Sequence, residues 1–128
     1  MKITKINSIQ KQICDLKVFN HHIYEYKKGI RNLILTTENS CYKDVIEARL
    51  KKENIDFLIH NVNENKINVF FGAKICIDVI KTFSSKLNEL SAEQDFILGI
   101  LLGYDKLKQC ERYLKIKQNI ITFKKLIG

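Results

Sequence analysis

The hydrophobic positions of the chain change period along its length. The apolar residues that follow Asp15, a good helix N-cap, recur at helical spacing as far as Gly29, where a left-handed stop is expected. They are Leu16, Phe19, Ile23 and Tyr26. This pattern predicts a helix from Leu16 to Lys28. From Ile3 to Ile13 the apolar positions recur at about every third residue, which indicates an N-terminal extension that is helical or frayed.

A strand, a helix and a hairpin follow. Arg31–Thr37 is short, apolar and partly branched, which is typical of a strand buried on both faces. Asn39 or Ser40 then caps an amphipathic helix that ends near Asn54. Its predicted inward stripe is Tyr42, Val45, Ile46, Arg49 and Leu50. Two segments that are apolar on both faces, with a polar four-residue turn between them, predict an antiparallel hairpin. These segments are Asp56–Val62 and Ile67–Phe71.

Three further helices are predicted. Lys74–Phe83 is apolar nearly all round, which indicates a buried helix. Ser91 opens a capping box with Gln94, and that helix runs to Gly103. Asp105 caps the last helix. Its inward residues are predicted to be Leu107, Cys110 and Leu114, and its outer face carries Lys108, Arg112 and Lys115. The spacing in residues 119–128 leaves a strand, a helix and a clasp on a neighbour all open.

The element order predicts an α+β fold, with a small three-stranded sheet covered by about five helices. We divide the chain into an extension at residues 1–17, a single domain at 18–117 and a basic tail at 118–128. A three-stranded sheet leaves an edge open, and pairing with a second copy closes it. The pattern therefore predicts a homodimer, through strand edges or through helices.

Charge restricts the choice of partners. The net charge is +8, and it comes from 19 lysines and only three arginines. Residues 1–31 and 106–128 are basic, whereas the segment between them is mildly acidic. An acidic protein therefore suits the ends of the chain. The basic residues have no zinc-finger spacing, no glycine-rich tail and no interleaved aromatics, so nucleic acid is disfavoured as a partner.

Location and thiol chemistry follow from composition. No apolar run approaches the length of a membrane span, and the first residues lack the apolar stretch of a secretory signal, so we expect a cytoplasmic protein. The four cysteines stand far apart, without the close pairs of a zinc or dithiol motif. We expect them to be reduced and buried as small hydrophobes.

Enzymatic activity is disfavoured, because the candidate nucleophiles Cys110 and Ser40 have no histidine assigned beside them.

Chemically capable side chains are crowded at one place only, from His21 to Arg31. On a helix, Glu25 lies four residues after His21 and three after His22, so its carboxylate can orient an imidazole or share a metal with it. A metal site would need a third ligand. Tyr24 and Arg31 are candidates for gripping a phosphate or carboxylate. The alternative is structural: His22 packs at the edge of the core, and His21 faces solvent or a dimer seam.

Six strings of residues resemble an uncharacterised bacterial family, the domain-of-unknown-function family numbered two thousand and twenty-three. They are His21–Glu25, Gly29–Leu33, Asn68–Gly72, Glu93–Gly99, Leu101–Asp105 and Gln109–Leu114. The resemblance covers Val18 to Leu114. It implies three strands and five helices in a homodimer, but no activity and no catalytic residues. It also implies an association with flavodoxins through neighbouring genes. Flavodoxins are acidic, so the basic ends of this chain are compatible with docking one.

Two functions follow as hypotheses. The first is a dimeric accessory or interaction domain that docks an acidic redox protein such as flavodoxin through Lys108, Arg112 and Lys115. The second is a sensor that binds a small ligand, a metal or haem through the cluster of His21, His22 and Glu25. The identity of the cofactor, if there is one, stays unknown at the level of sequence.

Overall fold

The structure, a computed structural model, describes residues 16–127. The described part holds five α-helices and three β-strands, which confirms the α+β prediction. In chain order they are α1 (Lys17–Lys27), β1 (Leu33–Asn39), α2 (Lys43–Lys52), β2 (Asp56–Asn61), β3 (Lys66–Gly72), α3 (Lys74–Ile80), α4 (Ala92–Leu101) and α5 (Lys106–Ile127). The Asp15 cap and residues 1–15 of the predicted extension lie outside the described residues, and the division into extension, domain and tail stays a prediction.

The three strands form one antiparallel sheet in the order β1-β3-β2. The predicted β2–β3 hairpin is confirmed. The side chain of Asn63 accepts hydrogen bonds from the backbone N–H groups of Asn65 and Lys66, at 2.8 and 2.9 Å, and so closes the turn locally. Strand β1 begins at Leu33, two residues later than the predicted Arg31, because its partner strand β3 ends at Gly72, which stands opposite Leu33. The Arg31 guanidinium donates to the backbone oxygen of Leu102 at 3.3 Å.

Each face of the sheet carries one layer of helices, because successive side chains of a strand point to opposite faces. Helices α1 and α2 cover one face, and α3 and α4 cover the other. The first layer contains Phe71, which is fully buried and makes edge contacts with the rings of Phe19 at 5.7 Å and Tyr26 at 6.5 Å. The second contains Phe70 with Ile77, both buried. The sheet is thus a shared core for two helical layers.

Gly72 allows the start of β1 to lie against the end of β3. Its φ is +148°, and a Cβ at this position would stand 2.2 Å from the backbone oxygen of Asn32. The same oxygen accepts a hydrogen bond from the N–H of Ala73 at 2.9 Å. Glycine is therefore required where the two backbones approach so closely.

Helix α1 is fixed to α2 by polar contacts at its end. It stops before Gly29, whose φ of +74° confirms the predicted left-handed stop. The carboxylate of Glu53 is paired with Lys27 of α1 and with Arg49 of α2. The hydrogen bond from Lys27, with further attraction from both cations, lowers the pKa of Glu53. Glu53 therefore links the last turn of α1 to the end of α2.

Two expectations about helix faces are wrong. Helix α3 ends at Ile80, and it is not buried all round, since Ile75 is 78% exposed. Only the side of α3 that carries Cys76 and Ile77 meets the sheet. In α2, Val45 of the predicted inward stripe is exposed, and the buried residues are Ile46 and Leu50.

Helices α4 and α5 form an antiparallel pair. The capping box of Ser91 and Gln94 is confirmed at the start of α4, and the Asp105 cap is confirmed at the start of α5 by a hydrogen bond from the Lys108 N–H at 3.1 Å. The side chain of Gln109 lies directly over Gly99, where a Cβ would come within 2.0 Å of its Oε1 atom. Close approach at Gly99 thus fixes which side of α5 meets α4.

The predicted inward face of α5 is wrong. Leu107 and Leu114 are 74% and 65% exposed, and Cys110 is exposed as well. The residues that face α4 are instead Gln109 and Tyr113, and the Tyr113 ring lies 5.4 Å from that of Phe96. The stripe of Leu107, Cys110 and Leu114 and the stripe that begins at Tyr113 have the same helical period. Contact between Gln109 and Gly99 turns the second stripe toward α4.

Candidate functional site

The histidine cluster exists as a geometric unit on α1. Glu25 Oε1 lies 3.1 Å from His22 Nδ1 and 3.6 Å from His21 Nε2. The side chains of His22 and Glu25 are mostly buried, whereas that of His21 is 67% exposed. One carboxylate therefore serves both imidazoles, as their helical spacing predicts. Among residues 16–127, no group of three histidine, cysteine, aspartate or glutamate side chains is placed to hold a metal ion.

Tyr24 and Arg31 take different positions relative to this cluster. The Tyr24 ring stacks near His21, at 6.1 Å between centroids, and the ammonium of Lys28 lies 5.6 Å over it. Arg31 is bound to the backbone oxygen of Leu102 at the end of α4. The structure therefore places Tyr24 beside the histidine cluster, whereas the side chain of Arg31 is hydrogen-bonded to the end of α4.

The predicted basic stripe lies along α5, but its three members differ. Arg112 donates two hydrogen bonds to the carboxylate of Asp95, at 2.8 and 3.0 Å, and this bidentate pairing raises the pKa of Arg112. Lys108 and Lys115 have no ion-pair partner in residues 16–127. Arg112 is thus committed to the α4–α5 pair, and two cations of the stripe are available to a partner.

Sequence reasoning missed an apolar face on the second half of α5. Ile120, Phe123 and Ile127 are exposed, and together with the half-buried Ile116 they form one apolar stripe along this helix. Their 4-3-4 spacing was readable in the sequence. It went unused because residues 119–128 also suited a strand. Every residue from 118 to 127 is exposed, so this half of the helix has no buried position in the chain.

A polar row across the sheet was also not predicted as a unit. Thr37 and His60 both stand opposite Asn68 in the strand register, and Thr37 donates a hydrogen bond to the Asn68 amide oxygen at 2.7 Å. His60 Nδ1 is buried and has no hydrogen-bond partner in the described chain. Its ring meets Phe70 edge-on at 5.8 Å, and burial lowers the pKa of His60. The imidazole ring is therefore part of the sheet packing.

The thiols follow the expectation only in part. Cys76 lies on the buried side of α3, as predicted, whereas Cys41 and Cys110 are exposed. Cys110 belongs to the solvent-facing stripe of α5, which explains its exposure. No helix within residues 16–127 is long and apolar enough to cross a membrane.

The comparisons with known proteins give a family without an activity. Residues 17–116 match the family described as "Protein of unknown function (DUF2023)". No curated protein matches the chain. The matched residues include α1 to α4 and the first half of α5, so the apolar second half of α5 lies almost entirely beyond them.

Proposed function

The chain belongs to the DUF2023 family of unknown function, and from that premise we propose that it is a small accessory domain that binds other proteins through helix α5. The observation that supports this most directly is that α5 has 22 residues and none of them is buried. A helix of this length, with exposed apolar residues and cations, is stable in a protein chiefly when packing covers part of it. The proposal places the domain in the cytoplasm.

An acidic partner is the first part of the proposal. Residues 106–128 carry seven cations and one anion, and Lys108 and Lys115 have no ion-pair partner within residues 16–127. An acidic redox protein such as flavodoxin presents the charge that this helix attracts. Such complementarity accelerates association and sets orientation, and salt weakens it.

The test is binding of purified flavodoxin to the full chain, measured by titration calorimetry at two salt concentrations. The double variant Lys108→Glu, Lys115→Glu should weaken binding by about tenfold at low salt, since reversed charges repel the acidic surface. The matched control is Lys51→Glu, Lys52→Glu on α2, which changes net charge equally and should leave affinity within about threefold. Equal losses in both variants, or no binding by the unaltered chain, would contradict the docking face.

Self-association is the second part of the proposal. Leu107, Cys110, Leu114 and Ile121 form an exposed stripe on the side of α5 that faces away from α4. Their helical spacing is that of a buried face, so a second copy that covers this stripe accounts for both the pattern and the exposure. The dimer then forms through helices and not through strand edges.

Sedimentation velocity tests the dimer. Leu107→Asp with Leu114→Asp should convert a dimer into a monomer, because each buried charge would lie in an apolar interface. Ile75→Asp, on the exposed side of α3, is the matched control and should leave the dimer intact. A monomeric unaltered chain at 100 µM would refute this part of the proposal.

The histidine cluster supports a second candidate function, a sensor for a small ligand, a metal or haem. The carboxylate of Glu25 lies within 3.6 Å of a nitrogen of both His21 and His22, which is the arrangement that orients imidazole ligands. A partner chain or the ligand itself would supply the remaining contacts. Native mass spectrometry of the protein from its own cells should show an extra bound mass that His21→Ala, His22→Ala removes. A bare protein in both cases would exclude the sensor.

A further inference from the structure

A cavity of about 290 Å³ lies where β1, α4 and α5 meet. Its lining comes from all three elements and from the turn between the two helices. The apolar part consists of Leu35 of β1 together with Leu98, Gly99 and Leu102 from α4 and its end. The volume is at the lower end of the roughly 300–1,000 Å³ of small-molecule sites, so the cavity suits a molecule of one or two rings.

One polar side chain stands against this apolar part. Gln109 of α5 is half-buried, and its carboxamide lies on the backbone of Gly99, where a Cβ would come within 2.0 Å of Oε1 and 2.6 Å of Cδ. The carboxamide makes no hydrogen bond to any residue from 16 to 127. Since amides that leave the solvent are normally paired, the N–H and C=O groups of Gln109 are available to a molecule in the cavity.

Two destabilising features coincide at this wall of the cavity. A glycine inside a helix destabilises it relative to alanine, and a half-buried amide without a partner destabilises the fold as well. Gly99 and Gln109 combine the two in one contact. Such local costs are expected at functional sites. A ligand that pairs with the carboxamide accounts for both, because the glycine is what admits the amide to this position.

The charged groups of the cavity offset each other. Asp95 and Arg112 both line it, and the guanidinium donates from Nε and Nη2 to the carboxylate at 2.8 and 3.0 Å. Within residues 16–127 the remaining nitrogen of Arg112, Nη1, has no hydrogen-bond partner. An anion in the cavity would lie beside a carboxylate, and a cation beside a guanidinium. The cavity therefore favours an uncharged molecule, although the chain as a whole carries +8.

The free polar groups define one edge of that molecule. A carboxamide presents an acceptor and two donors in one plane, and its complement is a ring edge that carries C=O next to N–H. Nη1 of Arg112 is a further donor for the same carbonyl. Tyr104 lines the cavity from the α4–α5 turn, and its side chain is half exposed. An aromatic ring at the entrance can stack on a planar ligand.

We infer that this cavity binds an uncharged heteroaromatic lactam, a planar ring whose O=C–N–H edge pairs with the carboxamide of Gln109. The body of the ring would pack on Leu35, Leu98 and Leu102. The site goes beyond the proposed interaction function. It uses neither the outer stripe of α5 nor the histidine cluster of α1, so it is tested independently of both.

The experiment titrates the full, ¹⁵N-labelled chain with three related probes and follows its backbone amides by NMR. Quinolin-2-one carries the lactam, quinoline is the same ring system without it, and quinoline-2-carboxylate carries an anion. We expect quinolin-2-one to shift the amides of Leu98, Gly99 and Leu102 with a Kd below about 1 mM. Quinoline should bind about tenfold more weakly, because it cannot form the pair of hydrogen bonds with Gln109.

Gln109→Met separates amide pairing from packing, since methionine keeps the length and the apolar stem of glutamine. This variant should lower the affinity for quinolin-2-one about tenfold and that for quinoline by less than about threefold. Gln109→Asn, which withdraws the carboxamide by one carbon, should give the same selective loss. The matched control is Gln118→Met, the same substitution at an exposed site of α5, which should leave both affinities unchanged.

Several results would overturn the inference. Equal affinity for quinoline and quinolin-2-one in the unaltered chain would refute the lactam pairing, and so would equal losses of both in Gln109→Met. Tighter binding of quinoline-2-carboxylate would assign the cavity to anions through Arg112. Tighter binding of N-acetyl-leucine amide would assign it to a peptide instead of a ring. Shifts confined to other parts of the chain, or no shifts at about 5 mM quinolin-2-one, would refute the site itself.

Discussion

Two aromatic residues on the same stripe of α5 make the strongest test of its architecture. Tyr113 is half-buried and packs on Phe96, whereas Phe123, ten residues later, is 62% exposed. Deleting a fully buried aromatic side chain costs about 3–5 kcal/mol. We expect roughly half of that at half burial, about 2 kcal/mol, for Tyr113→Ala. Phe123→Ala should change the free energy of unfolding by less than about 0.5 kcal/mol, as at other exposed sites.

Urea unfolding followed by circular dichroism measures this difference. With a slope of about 1.5 kcal/mol per molar urea, Tyr113→Ala should lower the midpoint by about 1.3 M, and Phe123→Ala by less than about 0.3 M. The comparison is made at 2 µM and repeated at 50 µM protein. An equal loss in both variants, independent of concentration, would mean that the second half of α5 packs on its own domain, which would contradict the exposure of Phe123.

The remaining predictions concern the sheet and two titrating groups. Gly72→Ala should destabilise the fold by about 2–4 kcal/mol in urea unfolding, because its Cβ meets backbone, whereas Gly29→Ala, with open space around it, should cost only about 1 kcal/mol. The pKa of Glu53 is lowered from 4.5 by Lys27, so its stabilisation is complete above pH 4.5 and lost as pH falls through the folded value. Glu53→Gln should therefore flatten the acid limb of a stability–pH curve. Burial lowers the pKa of His60 from 6.5, so stability should decline as pH drops below 6.5, and His60→Phe should remove that decline.

Local signals made most of the fold predictable. Asn63 closes the hairpin turn through its own neighbours, and Ser91 caps α4 through a residue three positions away. The histidine cluster was predictable for the same reason, since His22 and Glu25 lie on one turn of helix. In each case the residues that interact are close in sequence, and their geometry follows from the helix or turn that holds them.

Features that depend on distant contacts were not predictable. The face that α5 turns inward is selected by Gly99, on another helix, because only a residue without a side chain admits Gln109. Likewise, Thr37 and Asn68 meet only through strand register. Arg112 was expected to face a partner, and its pairing with Asp95 required knowledge of how α4 and α5 pack. Periodicity shows that a face is apolar but does not identify what covers it.

The strand order has a consequence for the synthesis of the chain. Within residues 16–127, strand β1 pairs only with β3, and the residue opposite Leu33 is Gly72, the last residue of that strand. Until β3 has left the ribosome, the apolar side chains of β1 therefore have no sheet to join. The nascent chain must carry Leu33 and Ile34 unpaired through the synthesis of α2 and the hairpin. Chaperone capture during translation should thus concentrate on nascent chains from which β3 has not yet emerged from the ribosome.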